Sequence, residues 1–267
     1  MRLLIDDTFA TSTYTVPITA GWISPPEGIT VDIANRLIAD GGAEESAILA
    51  PASDILRLQQ THQVASDVAV LADGNGAIAM RTPVRPDEVE ATPVRLLDTS
   101  GIAEFLARST LRPFYGIEPT TWVREGDSPE AARAEVVIVE GAEALREPEA
   151  GFSEDLSRAW FILTAQPAVS HLLLVPRALS PADLTRVLTF LDAARTEGLA
   201  RRREWRPELV DREGVGRDRA SAFWAAQRLK LEIADRRALL DLLGKGSRGT
   251  SDPSPANVAF INGASSE

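Results

Sequence analysis

Val94–Leu111, VRLLDTSGIAEFLARSTL, is the stretch whose reading decides the fold. Val94–Leu97 is a short apolar run of strand length. Asp98-Thr99-Ser100-Gly101 is turn chemistry with two hydroxyls, and Ile102, Phe105, Leu106 and Ser109 then recur at helical spacing. The stretch reads as strand, tight turn, helix. Such a turn aims the free N–H groups of a helix N-terminus beyond the strand's carboxyl end, where a carboxylate or phosphate can be held. The alternative is that Thr99 or Ser100 is only a helix cap.

Outward from this unit the pattern repeats on both sides. Before it come strands at Arg2–Ile5, Ala47–Ala50, Val68–Leu71 and Ala77–Thr82, with a helix expected from Thr30 to Gly41-Gly42 and a Ser53-capped helix through Leu56. Asp6–Tyr14 reads as a polar, hydroxyl-rich loop, and Asp73-Gly74-Asn75-Gly76 is a strong turn signal. After it come strands near Thr120–Val123, at Val136–Val139 and at Ser170–Val175, with helices from Pro129, after Glu140-Gly141 and over Ser153–Trp160. The remainder is helical: one helix opens at Ser180-Pro181, and others run over 217–231 and 234–243.

This alternation predicts an α/β fold of two lobes with C-terminal helices. Lobe 1 comprises 1–83 and 178–245, lobe 2 comprises 94–170, the hinge segments are 83–93 and 167–178, and 246–267 is a mobile tail. In such folds ligands sit beyond the strand carboxyl ends.

Composition narrows the chemistry. The 267 residues carry a net charge of -11 and no basic stripe interleaved with aromatics, which excludes a nucleic-acid binder. There is no cysteine, and with two histidines, His62 and His171, a His-rich metal site is excluded, while a carboxylate-only site is not legible in the sequence. No run approaches a membrane span, and MRLLIDDTF is not a secretory signal; taken with a native start at Met1, this predicts a cytoplasmic protein with no membrane partner. No P-loop, G-x-G-x-x-G or G-x-S-x-G occurs. Nothing in the pattern indicates an oligomeric state. His62 reads as a surface residue at a helix end.

The candidate ligand contacts are Thr99, Ser100 and Gly101 on lobe 2, Ser53 on lobe 1, Thr11 and Ser12 at the end of the first strand, Asn75 and Gly76 beside the first crossing, Thr164 and Gln166 beside the second, and His171 within an apolar strand. Each has a plainer reading as a cap, turn or packed residue.

Several segments together resemble a known family. SDVAVLADGNGAIAMRTPVRPDEV followed by VRLLDTSGIAEFLARSTLRPFYGIEPTTW is similar to the menaquinone-biosynthesis enzymes of the futalosine route, chorismate dehydratase above all. The matching motifs are Leu97-Asp98-Thr99-Ser100, Tyr115–Pro119, Trp160–Pro167, Pro51-Ala52-Ser53 and the closing RLKLEIADRRALLDLLG, within about 30–244. The resemblance implies a periplasmic-binding-protein type II fold, a small carboxylate ligand in the interlobe cleft, and a lyase reaction on chorismate without metal or organic cofactor. The chain departs from the family pattern in its first loop, which lacks an Asn before Pro17, at Ala77–Ile78, where a Ser is expected, and at Ile102-Ala103-Glu104, where a Thr-Ser pair is expected. The alternative expectation is a non-catalytic small-molecule binding or sensing protein on the same fold.

Overall fold

The computed structural model describes residues 1–34, 45–124 and 129–262. The chain begins with β1 (Arg2–Asp6), α1 (Ser12–Thr19), β2 (Thr30–Ala34), β3 (Ala47–Pro51), α2 (Ile55–Leu58) and the long β4 (His62–Ala72). It then crosses to a second sheet: β5 (Ile78–Thr82), β6 (Ala91–Leu96), α3 (Gly101–Thr110), β7 (Glu118–Arg124), α4 (Pro129–Ala132), β8 (Val136–Glu140), α5 (Ala142–Leu145), β9 (Phe152–Asp155) and α6 (Leu156–Thr164). It returns with β10 (Ala168–Pro176) and ends in α7 (Pro181–Ala200), α8 (Arg202–Glu213), α9 (Arg217–Ala226), β11 (Gln227–Arg228), α10 (Ile233–Gly246) and β12 (Phe260–Ile261). The fold is thus α/β and two-lobed, of the periplasmic-binding-protein type II kind, with C-terminal helices.

The first sheet has the order β11-β4-β10-β3-β1-β2, with β12 also on β4; the second has the order β7-β6-β8-β5-β9. Burial follows place in the sheet. Ala47–Ala50 is enclosed because β3 lies between β1, parallel, and β10, antiparallel. Val136–Val139 is the equivalent run of the second sheet, between parallel β6 and antiparallel β5. Strands covered on both faces need apolar residues at every position, which explains these unbroken runs.

Several elements depart from the sequence reading. Thr30 does not cap a helix: Thr30–Ala34 is a strand whose backbone groups pair with β1, and the rest of the expected helix falls outside the described residues. The loop read over Asp6–Tyr14 ends early, because α1 starts at Ser12. The segment 83–93 is not the hinge. Strand β5 already belongs to the second sheet, so the chain crosses at 73–77, through Gly74 and Asn75, both in the left-handed region. The return crossing lies between Thr164 and Ala168, and most of 167–178 is strand paired with β3 and β4. The helix expected from Ser153 begins at Leu156, since Phe152–Asp155 pairs with β5. The helix expected over 217–231 stops at Ala226, where β11 takes over.

The stretch after 246 is not a loose tail in its described part. Phe260 and Ile261 pair in parallel with Val64 and Ala65, and Arg177 donates to the carbonyl of Asn257 at 2.9 Å. His62 is fully buried rather than on the surface, with Nε2 3.1 Å from the Ser46 carbonyl and Nδ1 2.9 Å from Thr61 Oγ1. Among the described residues no helix is long and apolar enough to cross a membrane.

The C-terminal helices do not all return to lobe 1. Helix α10 packs on α3 of lobe 2, and Leu239, Leu242 and Leu243 join one apolar cluster with Phe105 and Ile102 of α3 and Leu172 and Leu174 of β10. The α3–α10 approach is close enough that Gly246 has no room for a side chain: a Cβ there would lie 2.2 Å from Phe105 Cβ and 2.6 Å from its Cα. Gly246→Ala therefore lowers stability by about 1–3 kcal/mol through overpacking. A urea-unfolding midpoint equal to that of the wild type would show that α10 does not lean on α3 in this way.

Candidate functional site

The carboxyl ends of β1, β3 and β8 converge on the space between the lobes. Asp6 ends β1 and Glu140 ends β8, while His171 stands on β10 opposite Pro51 of β3 and Val70 of β4. The cleft over them has a volume of about 760 Å³ and is lined by Asp6, Thr8, Ser12, Asp98, Ser100 and Glu140 among others. Beneath it, a cavity of about 20 Å³ reaches His171, Ser170, Ser157 and Gly76, walled by apolar residues that include Phe223 of α9. That inner space suits about one water molecule.

His171 and Asp6 are buried together, 1% and 3% exposed, with Nε2 3.3 Å from Asp6 Oδ2 and 3.5 Å from Thr8 Oγ1. On the other side of the ring, Nδ1 lies 3.2 Å from Ser170 Oγ. The Ser170 hydroxyl donates to the Val70 carbonyl at 3.1 Å. Nε2 faces a carboxylate oxygen, so an imidazole and a carboxylate are buried as a pair.

Glu140 occupies the N-terminus of α3. The Ser100 N–H donates to its Oε2 at 2.6 Å, and the Ser100 hydroxyl donates to its Oε1 at 2.9 Å. Ser100 stands at the cap position without capping its own helix, so its groups are spent on a carboxylate of the chain itself. The anion-holding geometry read from the turn is present, with Glu140 seated in it. Burial raises the Glu140 carboxyl above its ordinary range; the Ser100 bonds and His171 oppose the rise, and Asp6 adds to it. Behind this contact, Ser53 Oγ and Thr99 Oγ1 are buried without a hydrogen-bond partner, and Ser53 Oγ lies against Gly101 across the lobe junction.

Other candidates lie elsewhere. Thr11 is fully buried and donates to the carbonyl of Asp6 at 2.6 Å, which makes it a brace for the dyad's strand end. Ser12 lines the cleft, but its hydroxyl donates to the Phe9 carbonyl at 2.8 Å. Asn75 is exposed, held at a φ of 48° by the crossing turn, whereas Gly76 borders the inner cavity. Thr164 donates to the Trp160 carbonyl at 2.7 Å, and Gln166 donates to Asp241 of α10 at 2.9 Å; neither borders the cleft. Asp6 and Glu140 were not singled out from sequence. Each is an acid ending a predicted strand, which is the position where such folds present ligand groups. Glu104, which follows the turn, is engaged by Arg108 and Arg124 at 2.8 and 2.5 Å on α3's flank. Among the described residues no group of three or more His, Asp or Glu is arranged to hold a metal ion.

With the geometry in place, the comparisons with known proteins can be read. The family described as menaquinone biosynthesis matches residues 30–248. The chain belongs to this family. Comparison with curated proteins returns no match. Among solved structures, the family fold is shared with protein AF1704 from Archaeoglobus fulgidus, at 15% identity and a TM-score of 0.58, covering 92% of this chain and 96% of that one. The alkanesulfonate-binding protein SsuA from Xanthomonas axonopodis pv. citri, bound to MOPS, superposes at a TM-score of 0.65 with 12% identity and 98% of both chains covered. The ligand-binding component of an ABC-type import system from Staphylococcus aureus, with zinc bound, superposes at 0.63 with 12% identity over 97% of this chain and 95% of that one. At these identities the likeness is one of fold.

Asp54, buried at the start of α2, lies within electrostatic reach of Asp6 and His171. Burial, opposed by Arg57, pushes its carboxyl from 3.8 up to about 6. A carboxyl raised by folding favours the folded state at low pH, and that advantage is lost as pH rises from about 4 to about 6. Asp54→Asn removes the penalty, so it stabilises the protein at pH 8 relative to wild type, by up to about 3 kcal/mol, and stabilises it less at pH 4. Melting curves of both proteins at the two pH values test this; a gain larger at pH 4 would reverse the sign.

Proposed function

We propose that this member of the menaquinone-biosynthesis family binds a small carboxylate between its lobes and eliminates water from it, with chorismate as the substrate that the family resemblance names. The observation that carries the reading is that Asp6 and Glu140 line the cleft while Glu140 and His171 border the small cavity beneath it, close enough for Glu140 to feel the charges of both. Loss of water breaks a C–H and a C–O bond, forms a C=C bond and releases the hydroxyl with a proton. It needs a base at the carbon and an acid at the oxygen. Glu140, held by the N–H and hydroxyl of Ser100 and made more basic by burial, is suited to take the carbon-bound proton. His171, with Asp6 beside Nε2 to stabilise its charged form, is suited to give the proton to the leaving hydroxyl. A carboxylate and an imidazole held apart in different surroundings are the pair of roles that acid–base catalysis requires.

Charge also fits a carboxylate better than the number of acids around the cleft suggests. Glu143 is paired with Arg81 and Arg146, and Glu213 with Arg212, so the acids at the rim are compensated. Asp6 is paired with His171. The unpartnered hydroxyls of Ser53 and Thr99 are donors held in reserve at the lobe junction. A second reading, binding without turnover, is favoured by the likeness in fold to the sulfonate-binding and import-system structures.

Incubation with chorismate and mass spectrometry separates the two. The expected result is a protein-dependent product lighter by one water, with Glu140→Gln and His171→Gln each reducing kcat by about 10²–10⁴-fold and KM much less. Calorimetric binding of chorismate with no product formed would establish the binder instead. Full turnover in either variant would remove that residue from the chemistry.

A further inference from the structure

Strand β10 is irregular at the point where it presents His171. Val169 pairs with Leu71 and His171 with Val70, which leaves Ser170 as an extra residue with no partner of its own on β4. A bulge of this kind bends the strand and re-aims the side chain next to it. Here it turns the His171 ring toward β1, where Nε2 reaches Asp6 Oδ2 at 3.3 Å. The same bulge places the Ser170 hydroxyl between the Val70 carbonyl at 3.1 Å and the ring Nδ1 at 3.2 Å. A hydroxyl has one proton to give, and a carbonyl can only accept.

We propose that Ser170 is a positioning residue: with its proton committed to the Val70 carbonyl it accepts from Nδ1–H of His171, which makes Nε2 the one ring nitrogen that gains and loses a proton toward the cleft. The consequence for the reaction rests on the acid role given to His171 above; the tautomer itself does not. Neutral imidazole in water favours the proton on the other nitrogen, so an ungoverned His171 would keep its proton on Nε2 and turn a bare Nδ1 away from the substrate. The surroundings of Nε2 agree with the assignment. Thr11 spends its own proton on the Asp6 carbonyl at 2.6 Å, which leaves the Thr8 hydroxyl, 3.5 Å from Nε2 and 3.4 Å from Thr11 Oγ1, free to donate to either.

The test is long-range 1H–15N correlation on the labelled, ligand-free full chain over a pH series, with His171→Gln used to assign the two rings. In the wild type, His171 Nδ1 keeps the shift of a protonated ring nitrogen at every pH and only Nε2 changes. Ser170→Ala moves neutral His171 toward the Nε2–H form, and Ser170→Thr retains the wild-type pattern. A bare Nδ1 in neutral His171 of the wild type overturns the proposal whether or not Ser170→Ala folds, and so does a folded Ser170→Ala protein with an unchanged ring pattern. The predicted ring pattern in a protein that fails to dehydrate chorismate upholds the tautomer and rejects only the proposed reaction.

Discussion

The Asp155 carboxylate ties the outgoing crossing between the lobes to the start of α6. It caps α6 by accepting from Ser157 N–H at 2.7 Å and Arg158 N–H at 3.1 Å, and it also accepts from the backbone of Gly76 in that crossing. Burial lifts its carboxyl to about 6 in spite of those bonds, so the contact is strong locally and costly to charge. Gly76 has to be glycine for the approach to exist: a Cβ there would lie 2.0 Å from Ser157 Oγ. The crossing that leaves β4 is thereby fixed on lobe 2, beside the inner cavity that Gly76 and Ser157 border together with His171.

A pocket with several acids in it has to manage their charge, and this one does so by three different means. At the rim the acids meet arginines in partly exposed pairs, which are cheap to form and contribute little stability. At the floor Asp6 meets an imidazole. At the wall Glu140 has no ion pair among the described residues; it has the backbone and hydroxyl of Ser100 at the start of a helix, whose partial positive charge stands in for one. Burial still raises its carboxyl, so this third means leaves a group that takes up a proton more readily than an exposed carboxylate.

Much of the fold was legible in the sequence because hydrophobic pattern and turn chemistry agreed. The runs at Ala47–Ala50, Val94–Leu97 and Val136–Val139 are strands, and Ser180-Pro181 opens a helix with the Ser180 hydroxyl accepting from Asp183 N–H. The hinge was misplaced because 83–93 has the composition of a linker, with its three prolines, while the actual crossing is the five-residue link 73–77 between two strands. Thr30–Ala34 was misread because Val31, Ala34 and Leu37 fit helical spacing as well as strand alternation, and pairing with β1 is a long-range fact. The site was legible by half. The hydroxyls of the Thr99-Ser100 turn and His171 stand where the lobes meet, but Asp6 and Glu140 passed as ordinary strand-end acids, and Thr164 and Gln166 passed as site residues. Which acids matter depends on which strand ends adjoin, and Asp6 of β1 and His171 of β10, on either side of β3, meet across more than 160 residues of chain.

The same turn that first suggested a ligand site shows why its occupant cannot be read from the turn alone. A helix N-terminus with a flanking hydroxyl selects a carboxylate, and in this chain a carboxylate of the neighbouring strand is already there. The chain also lacks the Ser expected at Ala77–Ile78 and the Asn expected before Pro17, and in their vicinity it presents Glu140 and Asp6 instead. Hydroxyls and amides hold a substrate; carboxylates and imidazoles exchange protons with it. Relative to the family pattern, therefore, the departures replace neutral hydroxyl and amide positions with groups that can exchange a proton, and the pocket's character is set by how the fold brings Asp6, Glu140 and His171 to neighbouring cavities.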